Sequence, residues 1–485
     1  MGRLASALAS AALAAPHTYN ALQQIQPQQR APANGLSVDE GAMPRLEVSW
    51  NSPSEMCTTG AKDVNVTIAD PAYRVAVNAD AALNGRVVSI LYGEGAWPAL
   101  NATLNATACW DKVRASERAA MWRLRRVALS PLRCLAHPII FPPAPQPQQA
   151  NCSWTPWGEI WPISNGGVPQ AGDVDAHAAA VANATARIVP DEDFEGLLVM
   201  DWEAWRPLFD ANDDNLGVYS EYSRRLVRAD PSMAGANASV VDAEAQRRFD
   251  EGAKTFFLAT VAALKSVRPN ARVGFYSQGI DGPNSTAGRT HDDALLWLWD
   301  AVDLLLPSIY PRKGEAPATA LARIAGIVTE SQRSSDMVAA RRRERGDSEG
   351  RAPPVVMPYS RALAIGCETP PVPITPEVLA TQVQLVAALG VEGVILWGSS
   401  DDFQDRASCE IIEKVITGFA GDAIGACVAD RERCAASLCS GKGRCVDNAA
   451  LELSSLSSLC VAGATAWNAT CRCDFGSAGD DCSLS

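Results

Sequence analysis

Seven short apolar runs set the rhythm of the chain: Leu46–Trp50, Val87–Tyr92, Gly196–Asp201, Arg272–Tyr276, Leu304–Tyr310, Val355–Tyr359 and Gly393–Trp397. Each is too short for a buried helix and rich in Val, Ile, Leu and aromatic residues, which predicts buried strands. The longer segments between them carry helical spacing. In Asp242–Val267, residues Phe249, Ala253, Phe256, Phe257, Thr260 and Leu264 fall on one face, and Pro269 lies just beyond. A second helix is expected over Pro376–Leu389, closed by Gly390. Strands alternating with helices predict a parallel α/β architecture.

The run ends are chemically marked. Leu197-Leu198-Val199-Met200-Asp201-Trp202-Glu203 is an apolar strand running into an Asp-x-Glu pair, with Arg206 three positions on. Residues i and i+2 of an extended chain share a face, so Asp201 and Glu203 are expected side by side. Like charges that close push their pKa values apart, and one carboxyl can serve as an acid near neutral pH. Glycosidic bond hydrolysis needs that arrangement. Alone, such a pair also describes a solvated strand end, and a lone terminal Tyr or Trp describes a half-buried one. Here Asp201 with Glu203, Tyr276, Tyr310, Tyr359 and Trp397 all close runs. In a β/α barrel such ends converge on one mouth, and an aromatic ring around two carboxylates makes a sugar-stacking groove. Arg206 is expected to brace Asp201; pairing with a substrate carboxylate is the alternative.

Composition narrows the choice. A net charge of −13 argues against nucleic-acid binding. Four scattered His form no ligand cluster, so no metal site is expected, and a close acid pair needs no cofactor. Of 14 Cys, eight lie between Cys427 and Cys482. That density predicts a disulfide module in an oxidising compartment, and paired CxxC knuckles for zinc are missing. Eight N-x-S/T sequons and an Ala/Leu leader over residues 1–15 fit entry into the secretory pathway, with a secreted or lysosomal destination. Residues 16–44 read as a Pro/Gln/Ala linker. A segment at about 108–163, with an Arg-rich piece and a Pro-Ala-Pro-Gln-Pro stretch, reads as a surface insertion. No later apolar stretch is long enough for a membrane span. Arg341–Arg345 reads as a solvated helix end.

These residues resemble the hyaluronidases of glycoside hydrolase family 56. The matching segments include Val48-Ser49-Trp50-Asn51-Ser52-Pro53 with Cys57, Trp97-Pro98-Ala99-Leu100, Asn165 to Gln170, Phe194 to Pro207, Gly274-Phe275-Tyr276, Leu305 to Tyr310 and Ile395 to Asp402. The resemblance covers roughly residues 45–415 outside the insertion, and the barrel is expected over residues 45–420. It implies a distorted TIM-type (β/α) barrel and substrate-assisted retaining cleavage of a glycosaminoglycan such as hyaluronan or chondroitin. Glu203 matches the proton donor, and Asp201 the group that orients the substrate acetamido. Tyr276 and Tyr310 match the tyrosines that flank that acetamido, and Trp397 the aromatic that closes the pocket. Arg206, Tyr359, Ser399 and Ser400 match groove residues. Cys57 and Cys409 match a barrel disulfide.

Residues 427–485 resemble an EGF-like module, which implies the pairs Cys434–Cys445, Cys439–Cys471 and Cys473–Cys482. Cys427 and Cys460 are extra to that pattern and available to each other. The chain departs from the family after Tyr276, where Ser277-Gln278-Gly279 runs on without the family's second barrel disulfide. Cys109, Cys134, Cys152 and Cys367 have no counterpart. Two alternatives stay open: a glycan-binding protein without turnover, and a hydrolase of another N-acetylhexosamine polymer such as chitin.

Overall fold

The computed structural model of the chain describes residues 45–60, 62–100, 152–154, 160–213, 216–278, 286–346, 351–365, 372–448, 450, 460 and 466–484. The expected leader, the linker, most of the 108–163 insertion, and Cys109, Cys134 and Cys367 lie outside them, as does the side chain of Cys152.

Every one of the seven apolar runs forms strand. They are β1 (Glu47–Asn51), β2 (Val88–Tyr92), β3 (Leu197–Asp201), β4 (Arg272–Tyr276), β5 (Leu304–Leu306), the two pieces β6 (Val355–Val356) and β7 (Tyr359–Ser360) of one path, and β8 (Gly393–Trp397). All pair in parallel, in the order β2–β3–β4–β5–β6 and then β7–β8–β1. The backbone joins these two sheets where Tyr359 N–H donates to Pro307 O (2.8 Å) and Ile309 N–H donates to Tyr359 O (2.9 Å). The result is a TIM-type α/β barrel.

Closure on the other side is irregular. A short strand, Val75–Val77, pairs with β1 at the edge of that sheet, and among the described residues no ladder joins it to β2. The buried side chain of Asn78 takes over from a ladder there. Its Nδ2 donates to Val88 O (2.8 Å), while Val87 and Val88 N–H donate to its Oδ1 (2.9 and 3.1 Å). A carboxamide carries donors and an acceptor together, so it can satisfy both kinds of strand-edge group.

The period-2 alternation of each strand sorts side chains between two cores. Val88, Ile90, Leu197, Val199, Leu304, Leu306, Met357 and Ile395 fill the barrel. Leu198, Met200, Val273, Phe275, Leu305, Val394 and Leu396 face the helices. Those helices include α1 (Val174–Ile188), α2 (Gly217–Ala229), α3 (Ala238–Val267), α4 (Pro317–Glu344), α5 (Pro376–Ala388), α6 (Arg406–Ile416) and α7 (Phe419–Leu438). Side-chain caps start several of them: Asn237 accepts from Val240 N–H (3.0 Å), and Thr375 precedes a Pro at the first turn of α5. α3 stops at Arg268, the residue before Pro269, where helical backbone is disfavoured.

Charged groups at the N-terminal ends of the strands are paired. Arg272 reaches Glu47 (2.8 Å); Asp303 accepts from Lys265 (2.6 Å), Val273 N–H (2.9 Å) and Arg351 (2.9 Å). Glu392 accepts from Val356 N–H (2.8 Å) and lies 3.5 Å from Arg444.

Arg444 belongs to the C-terminal hairpin of β9 (Gly443–Asp447) and β10 (Ala469–Cys473), in which Cys445 stands opposite Cys471. Disulfides Cys434–Cys445, Cys439–Cys471, Cys473–Cys482 and Cys427–Cys460 bind this region, and Cys57–Cys409 ties the loop after β1 to α6. The hairpin packs at the end of the barrel away from Asp201. Gly390 permits this: its φ is +73°, and a Cβ there would lie 2.7 Å from Val446. The junction expected at residues 420–427 falls inside α7, because Ile424, Cys427 and Val428 belong to the main core while Cys434 belongs to the hairpin's own cluster.

Candidate active site

Asp201 is the last residue of β3, on its inward face, opposite Tyr92 of β2. Beyond it the chain keeps the strand's alternation for two residues. Trp202 turns outward to stack on Trp97 (4.6 Å, 9°), and Glu203 follows. Gly93 N–H donates to Asp201 O (2.8 Å); a Cβ on Gly93 would lie 3.3 Å from the Trp202 ring, so the close approach and the φ of +63° both call for glycine. Trp97 and Trp205 form, with His177, Phe249, Phe256 and Phe257, an aromatic wall behind the pair.

The acids differ in setting. Asp201 Oδ1 is shielded from solvent and accepts no hydrogen bond among the described residues. Burial first, and then the charge of Glu203, hold the Asp201 carboxyl well above the usual carboxylate range, with Arg206 opposing. Glu203 is part-exposed, and Arg206 Nη2 lies 3.8 Å from its Oε1. The guanidinium expected to brace Asp201 therefore sits against Glu203, and acts on Asp201 through its charge. Asn212 fixes the loop, accepting from Arg206 N–H (2.8 Å) and donating to Arg206 O (2.9 Å).

The aromatic strand ends converge as expected. Tyr276 and Tyr310 stand nearly parallel at 6.0 Å, Tyr359 meets Tyr276 edge-on at 5.2 Å, and Trp397 stacks on Tyr310 at 5.8 Å. Burial, followed by the charge of Glu203, raises the Tyr276 hydroxyl, and burial also raises those of Tyr310 and Tyr359. These phenols keep their protons as hydrogen-bond donors across the working pH range of proteins. Ser399 and Ser400 lie just beyond Trp397, at the start of a short turn in which Ser399 N–H donates to Asp402 Oδ2 (2.9 Å).

Four residues at the mouth escaped the sequence reading. Tyr92 accepts from Trp397 Nε1 (2.8 Å) and fixes that ring. Asn51 accepts from Tyr359 Oη (3.4 Å). Buried Arg361, ion-paired with Asp402 (2.6 Å), lies against the Trp397 and Tyr310 rings (5.1 and 5.7 Å). Gln278 is buried between the loops after β3 and β4. Tyr92 ends its run just as Tyr276 does, a signal available in the sequence; Asn51 falls one residue past the run that closes on Trp50, and the other two follow strand ends, so these three carry none. Among the described residues, no group of three His, Cys, Asp or Glu could hold a metal ion, and no helix is long and apolar enough to cross a membrane.

A parallel barrel whose C-terminal mouth gathers two carboxylates and a ring of aromatics has the form of a glycoside hydrolase. Residues 158–461, more than half of the chain, match the hyaluronidase family of glycoside hydrolases, family 56, and the chain belongs to that family. It is 32% identical over 308 residues to hyaluronidase-1 of Rattus norvegicus, covering 60% of this chain and 64% of that protein, so the match spans just under two thirds of this relative's length. Hyaluronidase Tab y 2.0101 of Tabanus yao is 25% identical over 377 residues, covering 75% and 87%. The fold matches bee venom hyaluronidase, solved in complex with a hyaluronic acid tetramer, at a TM-score of 0.58 and 23% identity, covering 78% of this chain and 98% of that one.

Proposed function

We propose that the chain is an endo-β-N-acetylhexosaminidase that hydrolyses hyaluronan or chondroitin by a substrate-assisted retaining mechanism. The observation that carries this reading is the pairing of Glu203 with Asp201 at the barrel mouth, one part-exposed and the other shielded with an unpaired oxygen, beside Tyr276, Tyr310 and Trp397. Membership of the hyaluronidase family and the likeness to hyaluronidase-1 support it.

In this mechanism Glu203 protonates the glycosidic oxygen as the bond breaks, and the substrate's own acetamido oxygen attacks the anomeric carbon. Glu203 then takes a proton from the water that opens the cyclic intermediate, so configuration is retained. Asp201 presents Oδ1 to the acetamido N–H. Its buried charge is unfavourable in the free protein and favourable once positive charge develops on the acetamido, which is the differential stabilisation catalysis requires. Tyr276 and Tyr310 hold the acetamido between them, and Trp397 stacks on the sugar. Tyr359, Arg206, Ser399 and Ser400 complete the groove. The five disulfides among the described residues fit a secreted or lysosomal protein folded in an oxidising compartment.

The test is reducing-end release from hyaluronan, chondroitin and chitin oligomers between about pH 3.5 and 7.5, with Glu203→Gln as control. Even-numbered products ending in N-acetylhexosamine, absent with the variant, are expected. Release from chitin alone would move the substrate, and binding without release from any polymer would make the chain a glycan-binding protein.

A further inference from the structure

We propose that Gln278 is a positioning residue: its carboxamide fixes the peptide plane between Trp202 and Glu203 and so sets the direction of the acid. This inference rests on the hydrolase reading above. Gln278 follows Ser277, whose left-handed backbone (φ 46°) turns the chain back over the strand ends, and is only 2% exposed. Its Nε2 donates to Trp202 O and also lies 3.3 Å from Tyr276 O. Both neighbours are carbonyl oxygens, so only the NH2 side of the amide can face them, and its two hydrogens serve one each.

The consequence follows from peptide geometry. The carbonyl of Trp202 and the N–H of Glu203 belong to one planar unit. Anchoring that oxygen fixes the plane from which the Glu203 side chain departs. The Trp202 ring is already held by stacking on Trp97, and the Arg206 end of the loop by Asn212. The Trp202 carbonyl is the remaining link between them, and Gln278 ties it to the strand that carries Tyr276. One amide thereby sets the acid and the acetamido-holding tyrosine in a common register. Gln278 Oε1 is buried and accepts nothing among the described residues, so the donors are the working half of the group.

The test compares Gln278→Met, which keeps bulk and removes the donors, with the parent protein. Turnover on hyaluronan is expected to fall about 10- to 100-fold with KM nearly unchanged, since an ångström-scale misplacement of the acid costs rate rather than binding. Amide exchange across Trp202–Arg206 is expected to quicken about tenfold while β5 at the core stays protected. Turnover within about twofold of the parent would overturn the proposal, because packing would then explain the residue. So would unchanged exchange at Trp202–Arg206, or an equal rise in both segments. The exchange measurement needs no turnover, so it decides the role of Gln278 even if the parent protein proves inactive and the hydrolase reading falls.

Discussion

Asp201 closes β3 at the barrel mouth, and Asp303 opens β5 at the opposite end. Both are aspartates set against the strand ends of one barrel, and both lose much of their water. Burial pushes both carboxyls up, yet at Asp303 hydrogen bonds from Lys265, Val273 N–H and Arg351 outweigh it and leave the group below the usual range. At Asp201 the second-largest influence is another carboxylate, and the group stays well above. The molecule thus accepts an unfavourable charge at one end of the barrel and not at the other. The N-terminal end, where the disulfide-bonded hairpin docks through Arg444, has its carboxylates paired. The mouth leaves Asp201 Oδ1, Trp202 Nε1, Arg206 Nη1 and Gln278 Oε1 without partners among the described residues. Stability is built at one end and chemistry at the other.

Single substitutions at the two ends test this contrast. The largest effect is expected from Glu203→Gln, with turnover down about 10³-fold or more and the melting temperature unchanged, measured by reducing-end assay and calorimetry. Asp201→Asn comes next, lowering kcat about 10²-fold while making the protein more stable at pH 7. The sign follows from linkage. A carboxyl whose folded pKa is raised stabilises the fold below its unfolded value of 3.8, and that stabilisation is lost as pH rises through the folded value. Asp303→Asn is expected to cost about 1–3 kcal/mol at pH 7 with kcat within about twofold of the parent. Its lowered pKa means that its contribution is present above 3.8 and is lost as pH falls through the folded value. Arg444→Ala should have the smallest effect, about 1 kcal/mol in denaturant unfolding and none on turnover, since its ion pairs among the described residues are with Glu392 and Asp474, far from the mouth.

The barrel was legible because a buried strand writes itself as a compact apolar run, and six of the seven runs also ended on a mouth residue; the first ends on Trp50, which faces the helices, one position before Asn51. α3 and α5 were legible from their spacing and stops. α4 was not, because its buried face carries Ser331, Ser334 and Ser335 among Ile324, Ile327, Val328 and Val338, which dilutes the apolar period. The Val75–Val77 strand is too short to announce itself, and its substitute for a ladder is one asparagine side chain. The edge of the hairpin region was expected from cysteine density, which marks where cross-links fall, whereas α7 serves the barrel core with one half and the hairpin with the other. The carboxylate pair and its aromatics could be read from strand periodicity. Gln278 and Arg361 could not: each acts from beyond a strand end, through contacts that only the closed barrel brings together.

The contrast between the two ends is tested most directly by equilibrium unfolding of the parent, Asp201→Asn and Asp303→Asn at pH 7. Opposite signs are expected, with Asp201→Asn more stable than the parent and Asp303→Asn less stable. Loss of stability in both variants would show that Asp201 is a paired structural carboxylate like Asp303, and would contradict the assignment of an unfavourable charge to the mouth.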